Sequence, residues 1–233
     1  VSWSHVNGSA SATAAGANSV NLTLGWTATA GNILVVMAGQ STGGAVGRAI
    51  SDTGGNTWTF VGVRGAGQCV LAWYSQLATG GALTITVGFT TTSAITALAD
   101  EFSFAGTIGV SEGFVSGAGG GSNPTTSAAI VPTGTDLMVT GYAVPNQGGA
   151  NSTIAAPFSV APGQVSSSSF LDIATGYALD QTTSQTPVWT LGTSNPSWQC
   201  IAWAIKGTPS AAAKIIPIWH LIRSLQGHHQ DTP

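Results

Sequence analysis

The chain has 233 residues, 43% of them hydrophobic, with only five Lys or Arg against eight Asp or Glu, a formal net charge of −3. That balance excludes a solvated disordered polymer, and it supplies neither the basic stripe that nucleic acid binding needs nor the polybasic cluster that holds a protein to an anionic membrane. Folding removes roughly 24,000 Å² from water for a chain of this size, enough for a core without disulfide or metal staples.

The opening VSWSHVNGS lacks the basic start and apolar core of a secretory signal, as a processed mature form also would. Residues 19–26, SVNLTLGW, alternate strictly, with Val20, Leu22, Leu24 and Trp26 on one face and Asn21 and Thr23 on the other. Residues 33–37, ILVVM, are apolar throughout, which predicts a central strand covered on both sides. The segment 52–62 opens with Asp52 and two glycines, a turn, and enters a strand through Trp58 and Phe60. Residues 82–89, ALTITVGF, alternate again, with Leu83, Ile85, Val87 and Phe89 inward. Residues 115–126, VSGAGGGSNPTT, carry no apolar period and are predicted to form a flexible connector or long surface loop.

Sliding the sequence against itself reveals an echo at a spacing of about 100 residues. GNILVVMAG (31–39) answers GTDLMVTGY (134–142), and the stretch from Tyr74 through residues 82–89 and 97–107 answers Tyr177, 187–192 and 199–208. The expected fold is therefore an all-β antiparallel sandwich over residues 1–208, built from pseudo-repeats at about 15–107 and 123–208. Two arrangements fit: tandem immunoglobulin-like sandwiches, or two halves closing one jelly-roll-like sandwich.

After Thr208 the character changes. Pro217 suits a first helical position and Gly227 a position just past the end, which predicts a helix over 217–226 within a tail of residues 209–233. Ile218, Leu221, Ile222 and Leu225 form its apolar stripe, and Ile215, Ile216 and Trp219 widen it. A ten-residue helix is marginal alone in water, so these seven side chains are expected to dock, on the chain's own sandwich or on a partner.

Chemistry-bearing groups are sparse. Gly109-Val110-Ser111-Glu112-Gly113 matches the G-x-S-x-G of a hydrolase nucleophile elbow, but a glycine loop follows it instead of a helix, and the downstream His220, His228 and His229 all sit in the tail. Asp100 and Glu101 are neighbours in a strand, so they point to opposite faces and cannot flank one bond; one of them is expected to be partly buried as a structural carboxylate. Asp52 and Asn56 offer too few oxygens for calcium and read as turn formers. Cys69 and Cys200 have no metal or redox spacing and read as free buried thiols. His228 and His229 read as a solvated terminus, and most tryptophans fall at inward parity, as core. The sequons at Asn7, Asn21 and Asn151 matter only on a eukaryotic secretory route. No catalytic residue, cofactor or metal site is assigned.

The succession GNILVVMAG, ISDTGGNTWTFVG, LAWYSQLATGGALTITVGF and ALADEFSFAGT resembles a β-sandwich type recurring among virion structural proteins of tailed bacteriophages, notably those infecting actinobacteria. The resemblance spans most of residues 15–208 and excludes the tail. It implies a non-enzymatic minor capsid or decoration protein on the exterior of the phage head. Its implied partners are the major capsid protein or neighbouring copies of itself, with no nucleic acid and no membrane. The alternative is a carbohydrate-binding or adhesive module of a phage tail or bacterial surface, with a host glycan as ligand.

Overall fold

The computed structural model describes residues 2–145, 152–162, 165–166 and 171–209. The first sheet is assembled from β1 (Trp3–Ala28), β2 (Ile33–Gln40), β3 (Ala49–Asp52), β4 (Thr59–Arg64), β5 (Cys69–Gln76) and β6 (Gly81–Phe104), all antiparallel, in the order β1-β6-β2-β5-β4 with β3 also on β6. The second uses β7 (Gly106–Gly121), β8 (Asp136–Pro145), β10 (Ser159–Val160), β11 (Val165–Ser166), β12 (Leu171–Gln181) and β14 (Asn195–Pro209) in the order β7-β14-β8-β12-β10, with β11 also on β12. β9 (Thr153–Ile154) and β13 (Trp189–Thr190) pair separately. The strands that echo one another in sequence hold matching places: β2 and β8 each lie beside the long return strand of their sheet, β6 or β14.

Alternation decides where the core sits. β2 is buried at every position because it runs centrally and both of its faces are covered. Leu34 and Val36 face one cluster with Leu71, Trp73, Ile95 and Ala97, while Ile33, Val35 and Met37 face another. The first cluster is closed by the sheet's own long hairpin. The pairing of β1 and β6 breaks register around Ala17, and beyond that break Val20, Leu22 and Leu24 of β1, with Leu83, Ile85 and Val87 of β6, cover the face of β2 and β5. These are the side chains that alternation placed inward.

The second cluster is the sandwich interface. Ile33, Val35, Met37, Val70, Ala72 and Phe102 from the first sheet meet Leu137, Val139, Leu171, Ile173, Ile201 and Trp203 from the second. Close approach there depends on a glycine, since a Cβ on Gly39 would collide with Leu171 and lie 2.9 Å from Ile173 Cγ2. The far face of the second sheet is covered by β9, β13 and the segment 122–130, which bury Tyr142, Trp189, Trp198, Ile130 and Phe158.

One expectation is corrected. Residues 115–121 are no connector: they continue β7, with Val115 opposite Ala202, Gly117 opposite Cys200 and Gly119 opposite Trp198. The glycines are there for packing. A Cβ on Gly117 would collide with Thr125 O, and one on Gly119 would come within 2.7 Å of the Trp198 ring. The second sheet thus begins at Gly106 and the first at Trp3, where the Ala/Ser/Gly run in β1 shows no apolar period yet pairs with β6 along its length. The helix expected at 217–226 lies outside the described residues.

Candidate functional site

Asp100 and Glu101 point to opposite faces, as strand geometry requires, and both are buried, where only one was expected to be even partly so. Asp100 Oδ1 lies 3.1 Å from His5 Nε2. Burial pushes the Asp100 carboxyl above its ordinary range, against the hydrogen bond and charge of His5. The His5 ring in turn stacks on Tyr177 with centroids 4.7 Å apart. Burial, followed by the nearby Asp100, raises the Tyr177 phenol. This group ties the first strand to the second sheet, helped by Trp3, whose N–H donates to Asp180 Oδ1 and whose Nε1–H donates to Thr135 O.

Glu101 is a structural hub. Its Oε1 accepts from Asn32 Nδ2 at 2.6 Å and Thr29 N at 3.0 Å, and its Oε2 from Trp26 Nε1 at 2.6 Å and Asn7 Nδ2 at 3.4 Å. Asp52 is likewise occupied: Oδ1 accepts from Gly54 N at 2.7 Å and Asn56 Nδ2 at 3.1 Å, and Oδ2 from Trp58 Nε1 at 2.7 Å. It builds the turn that the sequence suggested. Among the described residues no three His, Cys, Asp or Glu side chains gather as a metal site.

Ser111 sits in mid-strand, where its backbone N–H donates to Tyr74 Oη at 3.1 Å. The strand-turn-helix of a nucleophile elbow does not form around it, because β7 continues to Gly121. His220, His228 and His229 lie outside the described residues, as do Ile215, Ile216, Ile218, Trp219, Leu221, Ile222 and Leu225. Cys69 and Cys200 are free and buried, and burial pushes their thiols up to about 11 and about 12. Trp3, Trp73, Trp189, Trp198 and Trp203 are buried, while Trp26 and Trp58 are half-buried with their N–H groups on Glu101 and Asp52.

A carboxylate pair went unnoticed in the sequence. Glu112 accepts from the Thr133 hydroxyl at 2.8 Å, and both Glu112 and Asp136 accept from Thr133 N at 3.0 Å. Burial, reinforced by Glu112, raises the Asp136 carboxyl to about 6. Glu112 is lowered: burial acts against this, but the hydrogen bonds from Asp136 and Thr133 and the charge of Lys206 outweigh it. The folded state therefore holds the Asp136 proton more tightly than the unfolded chain does. The stability this contributes is present below about pH 4 and is lost as pH rises through about 6. Asp136→Asn keeps an acceptor for Thr133 and gives Glu112 a permanent donor. Urea midpoints should show the variant more stable than the parent at about pH 7.5 and level with it at about pH 4. Equal gain at both values would remove the shared proton from the explanation.

An open cleft of about 320 Å³ lies beside β7, lined by Arg64, Ser116, Gly117, Ala118, Thr125, Thr126, Ser127 and Trp198. A second depression, which shares Arg64 and Ala118 with it, adds Gly65, Ala66 and Gln199. The cleft is assembled by the strand that was expected to be a loop. Gly117 lets the 125–127 segment cross close over β7, and Ser127 N–H and Oγ both bind Ser116 O.

No family model, no curated protein and no solved structure matches the chain. Among the described residues no helix is long and apolar enough to cross a membrane. Arg64 gave no sequence signal with Trp198 and Gln199, since it stands more than a hundred residues from them in order and meets them only when β4, β7 and β14 come together.

Proposed function

We propose that this chain is a non-enzymatic structural component of a virion, of the minor capsid or decoration kind, seated on the exterior of a tailed-phage head. Its partners are the major capsid protein or neighbouring copies. The observation that carries the reading is the character of its long edge strands. β1 runs for 26 residues without a single Lys, Arg, Asp, Glu or Pro, and β7 runs for 16 with Glu112 as its sole charge. Soluble monomers usually blunt such edges with charge. Here the edges carry Ala, Ser, Thr and Gly, which order against a neighbour at little cost in side-chain entropy. The sequence resemblance to phage virion sandwiches supports the same reading.

The tail supplies the attachment in this proposal. Burial of Ile218, Leu221, Ile222 and Leu225 is worth about 1.5–3 kcal/mol per side chain before ordering costs, and repetition around a symmetric shell multiplies the effect. Cosedimentation with empty phage heads tests it directly. The full chain should travel with the heads at a fixed ratio. A form ending at Pro209 should stay in the supernatant while keeping the denaturation midpoint of the sandwich. Normal occupancy by the shortened form would overturn the attachment, and absence of the full chain from heads would overturn the function.

A further inference from the structure

The cleft beside β7 holds a charge without a partner among the described residues. Among the described cations, Arg48 lies 3.9 Å over the Phe60 ring and Lys206 faces Glu112, whereas Arg64 makes no hydrogen bond, ion pair or ring contact with any described residue. Two of the lining residues also carry buried polar atoms that are unpartnered among the described residues, Trp198 Nε1 and Gln199 Oε1. Such groups are costly to bury and call for water or a ligand. Trp198 is 7% exposed, its ring is packed against Gly119 and its Nε1 is buried, so it walls the cleft and offers no stacking face.

We propose that this cleft binds a hexuronate residue of an acidic oligosaccharide. The planar guanidinium of Arg64 matches a carboxylate in a two-pronged pair. Exposed Ser127 spends its hydroxyl proton inward, on Ser116 O at 2.8 Å, which leaves its oxygen as an acceptor for a sugar hydroxyl. Gly117 and Ala118 give a low floor on which a ring can settle. The volume lies in the range of small-ligand sites. Arg64 is the sole charged residue of the lining, so a ligand with one carboxylate among many hydroxyls fits where an acidic peptide would leave most of its charges unmatched. The inference is independent of attachment to a shell.

The test titrates the full chain with trigalacturonate, alongside neutral cellotriose and triglutamate. Calorimetry gives affinity, and the indole N–H resonance of Trp198, assigned through Trp198→Phe, reports on the cleft. Trigalacturonate should move that resonance, and salt should weaken its binding. Arg64→Gln, at an exposed strand end, should keep the parent's denaturation midpoint and weaken trigalacturonate by about tenfold or more. Arg64→Lys, which keeps charge without the planar fork, should fall between. A still Trp198 resonance, or an unchanged affinity in Arg64→Gln, overturns the site. Cellotriose binding as tightly removes the carboxylate from the proposal, and triglutamate binding as tightly removes the sugar.

Discussion

Glu101→Ala is expected to destabilise the fold by about 3 kcal/mol or more, and Glu101→Gln by about 2 kcal/mol. The carboxylate has no exposed surface and accepts from four donors on two separate stretches of chain, at Asn7 and within residues 26–32. Alanine leaves all four without a partner. Asn7, Trp26 and Asn32 are half-buried and Thr29 is exposed, so water recovers part of the loss, which holds the estimate at the low end for a broken buried charge. Glutamine retains one acceptor oxygen but turns the other position into a donor that faces donors, either Asn32 and Thr29 or Trp26 and Asn7. Urea denaturation of the two variants checks the ranking. A Gln variant as stable as the parent would mean that the four bonds contribute nothing net.

The hub also marks where sequence reading stops. Alternation identified Val20, Leu22, Leu24, Leu83, Ile85 and Val87 as core, and the unbroken apolar run of β2 gave its central place, because period and burial are local consequences of strand geometry. Glu101 gave no such signal: Asn7, Trp26, Thr29 and Asn32 lie 69 to 94 residues away in order. The Ala/Ser/Gly stretches of β1 and β7 failed for another reason. Their strand character comes from the ladder they complete, with β6 and β14 respectively, and not from any preference of their own. The Arg64 cleft inherits that failure, since Ser116, Gly117 and Ala118 of its lining come from β7.

Trp203→Ala is the second large effect, an expected loss of about 3 kcal/mol with a change in how the molecule unfolds. Trp203 has no exposed surface, stands opposite Val139 in the ladder, and packs in the interface with side chains of both sheets. It also forms one wall of a shallow depression with Val61, Glu112 and Phe114, so the void left by alanine opens toward solvent and can admit water, which keeps the cost near the lower end for an aromatic deletion. Trp203→Phe should lose less than about 1 kcal/mol, because the smaller ring also removes an indole N–H that has no partner among the described residues. Each sheet has a further core on its far face, the Leu34 and Leu71 cluster in the first and the Tyr142 and Trp189 cluster in the second, so the shared interface is what couples them. Weakening that interface should split the single unfolding transition of the parent into two, read by tryptophan fluorescence against far-ultraviolet dichroism. Coincident transitions in Trp203→Ala would place the coupling elsewhere, in the strand that Trp3 and His5 pin across to Asp180 and Tyr177.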